Sequence, residues 1–308
     1  MGALDLAVEL EGLSLENPII AASGTFGFGE EFMPFGGIDA AGAVVLKSVT
    51  LHPREGNPPP RLWETAAGLL NSIGLQNPGV DKLLSEVLPR LEGIKPPIVG
   101  SAAGESVSEY VEVARRLASF AQIAAVEVNA SCPNVERGGM EFGKDPKMLS
   151  ELTRAVKGAV GEKPLWVKLP PLVTDIAELA RAAERAGANA VVVANTFPAM
   201  AVDPQTFEPR LGGNFGGLSG PAIKPIVLRL VFEVARAVSI PVIASGGALR
   251  GEDVAEFMLV GARAVQVGTA NLLDPTAIPR MVGELRRYLE RVGVRRARDL
   301  VGRVRLRG

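Results

Sequence analysis

The sequence predicts an α/β protein closed as a (β/α)₈ TIM barrel, and two observations carry that reading. Eight short apolar runs recur along the 308 residues, and helical patterns separate most of them. Alternation of this kind makes a parallel sheet. Eight such units close it into a barrel. A doubly wound open sheet is the runner-up, and eight well-spaced units weigh against it. No linker interrupts the chain, so residues 1–308 read as one domain, long enough to bury a substantial core.

The elements follow in order. Leu4–Leu10 and Leu13–Leu15 flank Glu11-Gly12 and read as an N-terminal hairpin, suited to plug the closed end of a barrel. The eight strands are then Ile19–Ala22, Gly42–Leu46, Pro97–Gly100, Ile123–Val128, Leu165–Val167, Ala190–Val193, Pro241–Ala244 and Ala264–Val267. Helical periodicity covers Ser106–Ala118, Pro146–Val160, Asp175–Ala186, Pro221–Val238, Gly251–Val260 and Thr276–Val292. Two connections, Thr50–Gly79 and Thr196–Ser219, are too long for simple turns. Both follow strands on the face where such barrels place their chemistry, so they are expected to be long active-site loops.

Composition removes several functional classes. The formal net charge is −1, which gives no global pull toward nucleic acid. No apolar run approaches the roughly 20 residues needed to span a bilayer, and the N-terminus lacks a signal-peptide pattern. A single cysteine excludes an internal disulfide and suits a reducing cytoplasm. With one cysteine and one histidine, a Cys/His metal site is not expected.

The strand ends carry the chemistry. Ser23, Lys47, Ser48, Asn129, Lys168, Asn195 and Thr196 fall at or just past five of them. A lysine aimed into a barrel mouth needs an acceptor or an anion. Gly246-Gly247 and Gly268-Thr269 follow the seventh and eighth strands, the usual phosphate site of this barrel. Glycine lets backbone N–H groups approach phosphate closely. Gly217 and Gly220 open the helix after the sixth strand and extend that cradle. A pyridoxal phosphate enzyme would also present a strand-end lysine, but a flavin mononucleotide fits better. Its flat ring needs polar partners from several strands, and its reduced, negative form gains from Lys168 near the N1–C2 edge. Asn71, Asn129 and Asn195 offer the paired donors and acceptors that an amide-rich heterocycle takes. Cys132 lies just past the fourth strand, between Asn129 and the glycines Gly138 and Gly139. It is placed to act as base or acid on a substrate stacked over the ring.

Eight segments together resemble the class 1 dihydroorotate dehydrogenases. They are NPIIAASGTFGFG (17–29), REGNPPPR (54–61), LLNSIGLQNPGVD (69–81), NASCPNVERGGMEFG (129–143), VKLPP (167–171), TFEPRLGGNFGGLSGPAIKP (206–225), ASGG (244–247) and VQVGTA (265–270). The NSIGLQNPG and SCPNVERGGMEFG forms are most similar to the B-type catalytic subunit. The resemblance implies an FMN-binding barrel that oxidises (S)-dihydroorotate to orotate in pyrimidine biosynthesis, with Cys132 as base. It implies FMN contacts at Ser23, Lys47, Ser48, Asn129, Lys168, Val193, Gly220, Gly246, Gly247, Gly268 and Thr269. Substrate contacts are implied at Lys47, Asn71, Ser72, Ile73, Gly74, Leu75, Asn129, Asn195 and Thr196. It also implies a homodimer and a separate electron-transfer subunit carrying FAD and a 2Fe-2S cluster that reduces NAD⁺. One cysteine cannot hold such a cluster in this chain. The alternatives are an FMN enzyme acting on another dihydropyrimidine, fumarate as acceptor, and a non-enzymatic scaffold. Two departures from the family pattern stand out. Ser101 occupies a position where the family usually has an asparagine, and Pro198-Ala199-Met200 stands where it tends to have Gly-Met.

Overall fold

The computed structural model describes residues 4–130 and 139–307. Its strands are β1 (Val8–Leu10), β2 (Leu13–Leu15), β3 (Ile19–Ala21), β4 (Ala43–Val45), β5 (Leu62–Thr65), β6 (Gly68–Asn71) and β7 (Ile98–Ala102). They continue with β8 (Ile123–Asn129), β9 (Leu165–Lys168), β10 (Ala190–Val193), β11 (Phe197–Ala199), β12 (Gly216–Ser219), β13 (Val242–Ser245) and β14 (Ala264–Val267). Eight of them form a closed barrel in the order β3-β4-β7-β8-β9-β10-β13-β14. Every neighbouring pair is parallel, and β14 returns to β3 in the register Val265↔Ile19, Gln266↔Ile20, Val267↔Ala21. The expected barrel is therefore present, with strand bounds shifted by a residue or two. Strands such as Val191-Val192-Val193 are buried on both faces, which is why they read as unbroken apolar runs.

Helices wrap the barrel where the 3.6-residue pattern places them. The helix Val107–Ser119 starts at Ser106, whose hydroxyl accepts from Glu109 N at 3.2 Å. Pro146–Val160 starts at Asp145 with proline in its first turn, and it buries Leu149, Leu152, Val156 and Val160. Ile176–Arg185 is capped by the Asp175 carboxylate, which accepts from Ala177 N and Glu178 N at 2.8 and 3.1 Å. Such caps satisfy N–H groups that have no partner inside the helix. One expected helix is shorter than its pattern. Pro221–Ile223 is a 3₁₀ turn, and the α-helix runs only from Lys224 to Ala235. Pro225 has no N–H to give in the first turn, and Ile240 before Pro241 is biased toward extended backbone.

The hairpin β1–β2 sits under the N-terminal ends of the strands. Leu6, Val8, Leu10 and Leu15 join the buried core, and Gly12 packs on Pro164, just ahead of β9. The two long connections are not irregular loops. They build a second, antiparallel sheet in the order β11-β12-β6-β5. Leu70 pairs with both Trp63 and Leu218, and Leu218 pairs with Phe197. This sheet extends from the connections that follow β4 and β10 at the mouth of the barrel. Close approach there depends on glycine: a Cβ on Gly217 would lie 1.9 Å from Thr196 Oγ1.

Asp253 joins two of the wrapping helices. Its carboxylate accepts from Leu249 N and Arg250 N at 2.8 and 2.9 Å and from Lys224 Nζ at 2.6 Å. Burial pushes this carboxyl up, but the Lys224 ammonium and the two N–H donors outweigh burial and hold it below the ordinary value. Asp253→Ala should destabilise the fold by about 2 kcal/mol near neutral pH in denaturant unfolding. A depressed folded-state value means stability present above the unfolded carboxyl value of about 3.9 and lost as pH falls through the folded one. The gap between wild type and variant should therefore shrink below about pH 4.

Candidate active site

Parallel strands all end at the same face, so the residues just past them converge. Ser23 follows β3, Lys47 and Ser48 follow β4, and Asn129 and Lys168 end β8 and β9. Asn195 and Thr196 follow β10. All seven line one cavity of about 240 Å³, together with Asn71, Ile73, Gly74 and Leu75. The cavity also takes Gly24, Thr25, Leu62 and Leu272. Past Gly24, Lys47 and Ile73 a wider groove of about 830 Å³ opens toward Arg54, Glu55 and Gln76. Another depression, of about 260 Å³, lies at the opposite end under the C-terminal tail, lined by Phe232, Arg236, Val304 and Leu306. It lacks the converging amides and lysines.

Hydrogen bonds join the strand ends into a rail. Ser48 Oγ contacts Ser23 Oγ at 3.2 Å and Ser101 Oγ at 2.8 Å. Asn129 Nδ2 donates to Ser48 Oγ at 3.2 Å, and Asn195 Nδ2 donates to Asn129 Oδ1 at 3.3 Å. The Asn195 side-chain oxygen accepts from Thr196 N at 2.8 Å. From behind, the buried Tyr110 hydroxyl donates to the Asn129 carbonyl at 2.8 Å. Ser101 is wholly buried beneath Ser48 and does not line the cavity. The shorter side chain in place of the family's asparagine thus supports the rail from below.

The floor holds a feature that the sequence alone did not single out. Lys168 Nζ donates to Gln266 Oε1 at 2.8 Å, and Gln266 Nε2 donates to Glu127 Oε2 at 2.5 Å. All three are buried, and Glu127 Oε1 has no hydrogen-bond partner among the described residues. Burial pushes the Glu127 carboxyl up, opposed by the charge of Lys168 and the bond from Gln266. Burial pushes the Lys168 ammonium down, opposed by Glu127. A polar residue inside an apolar strand run was the available signal for both Glu127 and Gln266.

The remaining expected residues sit around the cavity. Asn71 Nδ2 donates to the Gly217 carbonyl at 3.0 Å, which ties β6 to β12 beside the mouth. The Ser72 hydroxyl faces away and accepts from Asn57 Nδ2 at 2.9 Å. Val193 is wholly buried at the end of β10, and its peptide to Ala194 is cis. Gly220, Gly246, Gly247, Gly268 and Thr269 form a separate corner past β12, β13 and β14. Thr269 Oγ1 donates to Ser219 Oγ at 2.8 Å, and a Cβ on Gly220 would touch Thr269. Gly247 has φ +91°, and a Cβ there would lie 2.7 Å from Lys224 N. Pro198 and Ala199 lie in β11, so the departure from Gly-Met is absorbed as a strand edge. Cys132 lies outside the described residues.

A parallel (β/α)₈ barrel with amides, hydroxyls and two lysines gathered at its C-terminal mouth is the frame of an enzyme that binds a small polar heterocycle. The chain belongs to the dihydroorotate dehydrogenase family, whose sequence model matches residues 5–289. It is 50% identical over 298 residues to a catalytic subunit of dihydroorotate dehydrogenase B (NAD⁺) from Anoxybacillus flavithermus, covering 97% of this chain and 95% of that one. It is 47% identical over 303 residues to the protein so described from Maridesulfovibrio salexigens, covering 98% and 99%. A solved structure of the Eimeria tenella dihydroorotate dehydrogenase with ferulenol shares the fold at TM-score 0.81 and 23% identity, covering 97% of this chain and 88% of that one. The chain is therefore an oxidoreductase of a flavin-dependent family. The residues present fit such a cofactor: a glycine corner for a phosphate, a polar rail, and a lysine for negative charge on the ring. Among the described residues no group of three His, Cys, Asp or Glu side chains is placed to hold a metal ion.

Gly247→Ala should tighten the glycine corner against Lys224 and cost on the order of 1–3 kcal/mol of stability. The purified variant should carry less flavin per chain than wild type, read from its visible absorbance. Equal flavin content would show that this corner does not hold the phosphate.

Proposed function

We propose that this chain, working as one domain, oxidises (S)-dihydroorotate to orotate with FMN as its flavin, and that its electrons leave through a separate FAD and 2Fe-2S subunit to NAD⁺. The observation that carries this reading is the convergence of Lys47, Asn71, Asn129, Asn195 and Lys168 on one cavity. A carboxylated pyrimidine needs one cation and several amide partners, and the cavity offers both. The electron-transfer subunit matches the description of the similar proteins as catalytic subunits.

Lys47 pairs with the substrate carboxylate and fixes which face of the ring is presented. Asn71, Asn129, Asn195 and Thr196 read the ring amides, while the backbone of 72–75 closes one side. Ser23, Ser48, Asn129, Lys168 and Val193 hold the FMN ring, and Gly220, Gly246, Gly247, Gly268 and Thr269 hold its phosphate. A flavin held by these residues would supply the acceptor for the hydride from C6 of dihydroorotate. Cys132 takes the proton from C5, so the ring loses one hydride and one proton and gains a double bond. Lys168 supplies positive charge where the reduced ring is negative. Ile73 and Leu75 help to exclude water from the reacting face. We further propose a cytoplasmic homodimer, for which the exposed Phe207 and Phe215 between β11 and β12 provide apolar surface.

Two variants test the reading. Lys47→Ala removes a charge-assisted bond of about 1.5–3 kcal/mol, so orotate should bind roughly 10- to 100-fold more weakly. Unchanged orotate affinity would favour a dihydropyrimidine without a carboxylate. Cys132→Ala should keep its flavin, while reduction by dihydroorotate slows by about 10²- to 10⁴-fold in anaerobic stopped flow. Near-normal reduction in that variant would remove the cysteine from the base role.

A further inference from the structure

We propose that Glu127 is a positioning residue, which acts through Gln266 to hold Lys168 as an ammonium at the cavity floor and so keeps the reduction potential of the bound flavin high at neutral and alkaline pH. This rests on the reading that Lys168 faces a flavin. It goes beyond that reading by assigning a role to two residues that do not line the cavity.

The geometry argues for a directed relay. An ammonium is a donor only, so the Gln266 amide must turn its oxygen toward Lys168. That orientation leaves the amide N–H group for Glu127, and the observed 2.8 and 2.5 Å contacts have this polarity. Glu127, Lys168 and Gln266 come from β8, β9 and β14, so the relay is built across the barrel interior. Burial removes water from all three, and an isolated charge there would be costly. A positive Lys168 and a negative Glu127 each make the other tolerable, with neutral Gln266 between them.

Few other charges share this space. The charged groups facing Lys168 among the described residues are Glu127 below it and Lys47 across the cavity. β10 and β14 contribute none. On the helix packed behind β9, Glu151 and Arg154 are exposed, and Lys157 bonds to Asn189 at 2.9 Å. Burial works against the Lys168 ammonium, and Glu127 is the charged group among the described residues that offsets it. Because Lys168 lines the cavity and Glu127 does not, the ring meets a net positive field. Losing the carboxylate releases the Lys168 proton at lower pH, and the negative reduced ring then loses its nearest support.

The test is the flavin midpoint potential as a function of pH, measured by reductive titration of the purified chain against reference dyes. Glu127→Gln keeps shape and hydrogen bonding while removing the charge. Gln266→Met keeps volume while cutting the relay. In both, the pH above which the potential falls away should move down by on the order of one unit or more relative to wild type. A role confined to packing leaves that pH unmoved. Curves that superimpose on wild type in both variants overturn the proposal. A shift in Glu127→Gln with none in Gln266→Met overturns the relay through the glutamine. A wild-type chain that takes up no flavin overturns the flavin reading and this inference together.

Discussion

The pairing of β14 with β3 is the constraint on which the rest of the molecule depends. Until Val265–Val267 lies beside Ile19–Ala21, the parallel sheet has two open edges and its strand ends fan apart. Closing it sets the eight ends on a single ring, a few ångströms apart across each ladder. Ser23 then reaches Ser48, Asn129 reaches both Ser48 and Asn195, and Lys168 on β9 meets Gln266 on β14. None of these contacts is local in sequence. Each exists because closure fixes the neighbours of every strand.

The interior shows how a barrel can afford charge. Its strands are almost wholly apolar, yet Glu127, Lys168 and Gln266 enter from three of them. A lone ionised group there would be expelled or neutralised by loss of solvation. The glutamine has one donor end and one acceptor end, so it can serve a cation and a carboxylate at once. It connects the two without bringing them into direct contact, and Lys168 stays at the cavity wall.

Much of this was legible in the sequence. Runs such as Ala190–Val193 are apolar on both faces because helices cover one side and the barrel interior the other, and that leaves a plain signal. The site residues were legible for the same topological reason, since chemistry in this fold is placed at strand ends. The accessory sheet was not. Its strands are three or four residues long, three of them contain glycine or proline, and Asn71 finds Gly217 146 positions away. No periodicity develops over so few residues. Glu127 and Gln266 were hidden differently: each is a single polar residue inside an apolar run, and only the folded barrel shows that they meet. Leu272, just past β14, was likewise visible only once the cavity had walls.

The accessory sheet has a consequence for how the protein is made. β6 leaves the ribosome early, but its partner β12 is about 150 residues downstream, and β3 must wait longer still for β14. The first half of a nascent chain therefore carries Asn71 and Lys47 without the elements that hold them in place. Contacts of such long sequence separation form late, because loop closure is costly before they reward it. The pocket is thus among the last features to mature during synthesis. A chain truncated just before the final strand carries most of the chemical groups but not the closure that makes them a site.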